Sequence, residues 1–439
     1  MEEDVQMNQE LLEILRKEVK PALGCTGPIG VCFGAAQAYD AIGGEIKRIV
    51  AKIDWGMASK IDDVAFPGTE MLGVEMAIAL GAVCGDPKAG LEVLHNVTPE
   101  GEQKARKVAE LVEVHPMWER KDMNIYIDIT IETDRGTGRS VTAERSDGLI
   151  LKERNGEVIE QYEKDKGAQD AASPMLKYKV KDFYEFATTT PIEEFDLLLK
   201  AAELNTELAN ETITRNLGAG IGTALYNSQD GNLITKAKAY AAAGCEARMS
   251  GVNRPAMSCA NKGNVGIAAS MPIVVQAREL GLGDEAMQRG IALSYCLAIA
   301  IIHRIGKDPS MCSCEVAAAI GVAAGTVLLH GGTQQQVENA IQNTIPNIFG
   351  VVCDGAKLAC ALRISSGTGI GIEAANLALA GVRLANNQGV LAANADESIN
   401  MIGHTALYAM VDSDRELSRQ IFAKRKPFPL MRFEDRQKQ

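Results

Sequence analysis

Aromatic residues are scarce in this 439-residue chain, at 5% of the total with two tryptophans. Helices with so few rings must pack through small side chains. Excess positive charge is also missing: 45 Lys and Arg face 57 Asp and Glu, for a net charge of −12. Nucleic acid and anionic membrane both need a basic face, so neither is expected as a main partner. The basic C-terminal stretch ending in residues 426–439 reads as a solvated tail. No apolar run reaches the roughly 20 residues that span a bilayer. ALSYCLAIAII and VAAAIGVAAGTVLL are shorter, HRIGKD stands between them, and both read as buried core helices. MEEDVQMNQE offers neither the positive end nor the apolar stretch of a secretory signal. Ten cysteines in such a chain read as reduced thiols, catalytic groups or cluster ligands rather than disulfides, and the cytoplasm is the expected compartment. Cys-x-x-Cys knuckles with partner histidines are lacking too, so a structural zinc site is not expected.

What is present divides the chain by texture. MNQELLEILRKEV sets Leu12, Leu15 and Val19 on one helical face, and PIGVCFGAAQAYDAIG suits a second helix opened by Pro28. These N-terminal helices, residues 1–44, are expected to pack on the helical domain further along. From 45 to 185 strands dominate. In DMNIYIDITIET, Ile125, Ile127, Ile129 and Ile131 share one face. IKRIVAKID, SVTAER, LILKER and EVIEQY are further strands, and DRGTG, SDG and NG between them suit an antiparallel meander. EMLGVEMAIALGAV and GEQKARKVAELVEV read as helices within this region. From 190 to 425 the chain is Ala- and Gly-rich and helical. The expected fold is α+β and predominantly helical: an all-α C-terminal domain with an inserted antiparallel α+β subdomain.

Several phrases carry chemistry, each with a plainer competitor. Cys353 and Cys360 lie seven apart in VVCDGAKLACALRISSG, one face of a continuous helix, where core packing is the competing reading. Cys312 and Cys314 flank Ser313 just before a helix. Cys25, in PALGCTGP, precedes a helix whose positive end would favour a thiolate. NLGAGIG at 216–222 and SSGTGIG at 365–371 resemble phosphate cradles but lack the Lys-Ser/Thr of a P-loop. SSGTGIG with Lys262 also admits a pyridoxal phosphate site, although the alternating strands and helices that usually build one are lacking. Arg248 suits a substrate carboxylate through its planar fork, and a structural ion pair equally well. His303 reads as a helix-end histidine. Cys32, Cys84, Cys245, Cys259 and Cys296 read as core or incidental.

Together these phrases resemble the L-cysteine desulfidase branch of the iron–sulfur serine dehydratase α-chain superfamily. PALGCTGPI is similar to its GCTEPI phrase, RMSGVNRPAMSCANKGNVGIAASMP to its RMGG…PAMS…SGSGNQGI…MP block, and CDGAKLACA to its CDGA…C block. The resemblance runs from about residue 10 to 425 and implies a [4Fe–4S] cluster held by Cys312, Cys353 and Cys360. Cys312 is preferred to Cys314 because Glu315 completes a Cys-x-x-Glu phrase; either choice leaves the spacing to Cys353 one residue off. Cys25 matches the family's proposed catalytic cysteine, and Thr26, Arg248 and Asn264 fall in the phrases that would meet substrate. Gly27 replaces the family's glutamate, and CANKGN replaces SGSGN, which bears on substrate identity.

The implied activity is a lyase that converts L-cysteine to pyruvate, ammonia and hydrogen sulfide by α,β-elimination. Sulfur-rich iron sites tolerate thiol substrates, and open metal positions stabilise developing negative charge. Rival readings are an L-serine dehydratase on the same site, a pyridoxal phosphate lyase, and a non-enzymatic redox sensor built on thiols or a labile cluster. The expected partner is a small amino acid, L-cysteine or L-serine, with a homodimer as an allowed assembly.

Overall fold

Isoleucine alternating with polar residues builds the sheet. In the computed structural model, which describes residues 2–24, 26–66, 69, 71–120, 125–162, 173–306 and 308–425, Ile127, Ile129 and Ile131 are fully buried on one face of the strand Tyr126–Thr133. Asp128, Thr130 and Glu132 fill the other face. The six strands lie in the order Val112–Met117, Ile46–Asp54, Tyr126–Thr133, Gly136–Ala143, Leu149–Arg154, Glu157–Gln161. The last four form the expected antiparallel meander.

The sheet is mixed rather than antiparallel throughout. Ile46–Asp54 pairs antiparallel with Tyr126–Thr133 and parallel with Val112–Met117. The sequence reading carried a helix through Val114, whereas the helix Pro99–Ala109 stops short and VEVHPM becomes an edge strand. Two β-branched valines favour extended backbone, and Pro116 is tolerated at a sheet edge.

Two compact units divide the chain. One holds residues 23–172, 354–357 and 412–439; the other holds 1–22, 173–353 and 358–411. In the sheet-bearing unit the helix Thr26–Ile42 lies on the sheet. Ser140 Oγ donates to the Gly34 carbonyl at 2.6 Å, and a Cβ at Gly138 would collide with the Ala38 carbonyl. Of the two N-terminal helices expected to join the helical domain, Glu2–Glu18 alone belongs to that unit. Thr26–Ile42 goes to the sheet because its small residues allow backbone-close approach. Lys60, at the end of Trp55–Lys60, bonds Asp414 at 2.8 Å with both side chains buried, and its carbonyl accepts from Ala356 N–H.

In the helical unit, Ser313–Leu329 is buried along almost its whole length and packs between Gly283–Ile305 and Cys360–Leu379. Small residues set the spacing: a Cβ at Gly321 would lie 2.6 Å from Ser294 O, and one at Gly371 2.7 Å from Ala319 O. Gly283–Ile305 runs 23 residues and is long and apolar enough to cross a membrane by length and composition. Its most apolar stretch is 83% buried inside the fold, which makes it a core helix.

Candidate functional site

The segments that carry Cys312 and Cys353 meet through backbone pairing. Met311 and Val352 form an isolated antiparallel bridge, with Cys312 N–H donating to Val351 O and Cys353 N–H to Ser310 O, both at 2.8 Å. In that register Cys312 and Cys353 are diagonal neighbours on one face; such Cα atoms lie roughly 7–8 Å apart. Cys312 is the N-cap of Ser313–Leu329, and Cys360 is the first residue of Cys360–Leu379. The segment from Cys353 to Ala359 is not helical, so the seven-residue spacing does not express a helix face. Helix N-termini carry partial positive charge and favour thiolates.

Arg363 ties this arrangement together. It lies three residues beyond Cys360, and its Nη1 donates to Val352 O at 2.5 Å. A hydrogen bond with the Cys314 side chain, then burial, hold the Cys312 thiol well above its ordinary range, while Arg363 pulls the other way. Burial also raises Glu315, again opposed by Arg363. Cys245 joins the neighbourhood. It is fully buried, and its thiol is held high first by burial and then by Cys360, with Cys312 contributing and Arg248 opposing.

Arg248, on the helix Leu233–Met249, is 7% exposed and donates to Asn264 Oδ1 at 3.0 Å. A Cβ at Gly263 would collide with the guanidinium, so glycine there lets Arg248 lie flat on the backbone. Asn264 Nδ2 also reaches Met249 Sδ at 3.6 Å. CANKGN is a tight turn: Cys259 and Lys262 exchange both backbone hydrogen bonds, and Ala260 and Asn261 have φ of 50° and 57°. Left-handed backbone strains an alanine, and such strain recurs at functional sites.

Both glycine phrases have other uses. The NLGAGIG cradle is filled from within: Glu246 accepts from the N–H groups of Ala219, Ile221 and Gly222 at 2.7–3.0 Å. SSGTGIG lies inside the helix Cys360–Leu379, where Gly367 and Gly371 face Ser313–Leu329. It forms no phosphate cup for a pyridoxal cofactor. His303 has the plainer role, with Ser173 Oγ at 2.5 Å and Glu18 at 3.6 Å.

Cys25 lies outside the described residues, and Thr26 is described only as the first residue of Thr26–Ile42. Among the described residues, no three His, Cys, Asp or Glu side chains stand close enough to hold a metal ion as they are. In donor chemistry the three thiols suit a thiolate-held cluster. Two thiols sit on paired segments, a third opens the next helix, and a cation stands beside them. Arg363 and Glu246 escaped the sequence reading, whereas Cys245 was read as core or incidental and is fully buried. Arg363 had one local signal, its i,i+3 relation to Cys360; Glu246 had none.

A model of the family described as serine dehydratase alpha chain matches residues 88–417. A UPF0597 protein of Clostridium botulinum is 33% identical over 415 residues, covering 93% of this chain and 97% of the relative. A UPF0597 protein of Clostridium tetani is 33% identical over 412 residues, with the same coverage. One from Photobacterium profundum is 34% identical over 413 residues, covering 92% of this chain and 96% of its own. The chain therefore belongs to the serine dehydratase alpha chain family, among the iron–sulfur serine dehydratase-like lyases.

Proposed function

We propose that this protein degrades L-cysteine by α,β-elimination at a [4Fe–4S] cluster held by Cys312, Cys353 and Cys360. The observation that carries the reading is the Met311–Val352 bridge, which makes Cys312 and Cys353 neighbours across about forty residues of chain. When bound, the cluster would supply a Lewis-acidic iron with an open position for the departing sulfur.

The remaining work falls to side chains. Arg248 would bind the substrate carboxylate through its planar fork, with Asn264 fixing the guanidinium from one edge. Thr26 would contact the same substrate. Cys25, as thiolate, would take the α-proton, or cap the cluster until substrate arrives. Breaking the Cα–H and Cβ–S bonds releases hydrogen sulfide and 2-aminoacrylate. This tautomerises and takes up water to give pyruvate and ammonia.

L-Serine dehydration on the same residues is the second reading, favoured by the family description itself. Anaerobically purified protein should contain iron and acid-labile sulfide and release sulfide from L-cysteine faster than it forms pyruvate from L-serine. The reverse preference selects the second reading; no turnover on either overturns both and leaves a redox sensor. Cys25→Ala should keep the iron and lose turnover, and full activity in it removes Cys25 from the mechanism.

A further inference from the structure

One hydrogen bond places a cation among all three cysteine-bearing segments. Arg363 Nη1 bonds the carbonyl of Val352, the residue just before Cys353. Val352 is bridged to Met311, the residue just before Cys312. Arg363 itself stands one helical turn from Cys360. Cys312 and Cys360 are 3% and 6% exposed, so negative charge gathered on these sulfurs would sit largely away from water. Buried charge is tolerated when it is paired.

From this geometry we propose that Arg363 is the positioning residue and counter-cation of the cysteine site. Its guanidinium holds the start of Cys360–Leu379 against the paired segments. It also balances the charge left over when three thiolates outweigh a positive inorganic core. The proposal rests on the cluster reading and adds a residue that no motif carries. Arginine suits the task because it stays protonated and its fork can serve a carbonyl and anionic sulfurs at once. A purely structural arginine would need the hydrogen bond alone.

The test uses the full chain, reconstituted anaerobically with iron and sulfide, as wild type, Arg363→Lys, Arg363→Gln and Arg363→Met. Two quantities are read: iron retained under a chelator, and the midpoint potential followed by visible absorption. Loss of such a supporting partner typically weakens metal binding about 10–100-fold. Arg363→Gln and Arg363→Met should lose iron that much more readily and show a lowered midpoint potential. Arg363→Lys, which keeps the charge, should restore most of the potential. Arg363→Gln keeps an N–H donor for Val352 O and decides the matter if Arg363→Met does not fold. Wild-type retention and potential in the neutral variants overturn the proposal alone. A lysine variant as impaired as the neutral ones overturns the counter-cation role. Wild type that takes up no cluster overturns the underlying reading, and this proposal with it.

Discussion

The sheet-bearing unit and the helical unit solve packing in opposite ways. The sheet presents branched side chains from alternate positions, Ile49, Ile53, Ile127, Ile129 and Ile131, into one apolar layer. The helical unit brings backbones together at glycines: Cβ atoms at Gly321 and Gly325 would each lie 2.6 Å from a facing carbonyl oxygen. The sheet's apolar layer is filled by volume, while glycines set the helix spacing in the helical unit and also where Thr26–Ile42 meets Gly81 and Gly138. Removing atoms should hurt the first more, and adding them the second. Cys312, Cys353 and Cys360 all belong to the helical unit.

The largest effect expected comes from the buried pair in the sheet-bearing unit. Lys60 and Asp414 are 6% and 2% exposed. Lys60→Met removes the carboxylate's buried cation and should destabilise by about 3–5 kcal/mol, whereas Lys60→Met with Asp414→Leu should be near neutral. Both tryptophans, Trp55 and Trp118, lie in this unit. Tryptophan fluorescence during urea unfolding therefore reports it selectively. A double variant as unstable as the single would show that the charges are not what holds this corner.

Ile129→Ala should follow at about 2–5 kcal/mol, since it opens a cavity at a fully buried site. The same fluorescence transition should move to lower urea. Gly325→Ala comes next, at about 1–3 kcal/mol from overpacking against Gly290 O and Ile273. Far-UV circular dichroism, dominated by helices, should shift while fluorescence stays in place. Equal sensitivity of both signals to both substitutions would erase the contrast between the units.

How much of this was legible in the sequence follows the same divide. Period-two alternation exposed the Tyr126–Thr133 strand and its buried isoleucines because one sheet face is dry and the other wet. The parallel edge strand was hidden because VEVHPM continues an amphipathic helical pattern, and only pairing with Ile49–Asp54 decides the matter. At the site, the family resemblance implied Cys312, Cys353 and Cys360, while the helix-face reading of the Cys353–Cys360 spacing fails because residues 353–359 are not helical. That Cys312 and Cys353 are neighbours depends on a bridge between segments far apart in sequence. NLGAGIG was weighed as a phosphate cradle and discounted for lacking a P-loop lysine; that its N–H groups hold Glu246, from another helix, has no sequence signature.

Glu246 offers the smallest and most specific test of the helical unit. Burial raises its carboxyl, and the backbone N–H groups of residues 219–222 oppose the shift without cancelling it. A raised folded value means the folded unit holds the proton more tightly than the unfolded chain. The stability from that proton is complete below the ordinary glutamate range, near about 4.3, and is lost as pH rises through the folded value. Wild type should therefore lose some helical-unit stability between mildly acidic and neutral pH. Glu246→Gln, which cannot titrate, should lack that component. Urea unfolding followed by far-UV dichroism at several pH values measures the difference. Identical pH slopes in the two proteins would mean that Glu246 keeps an ordinary affinity for its proton despite burial, because its cradle offsets burial completely.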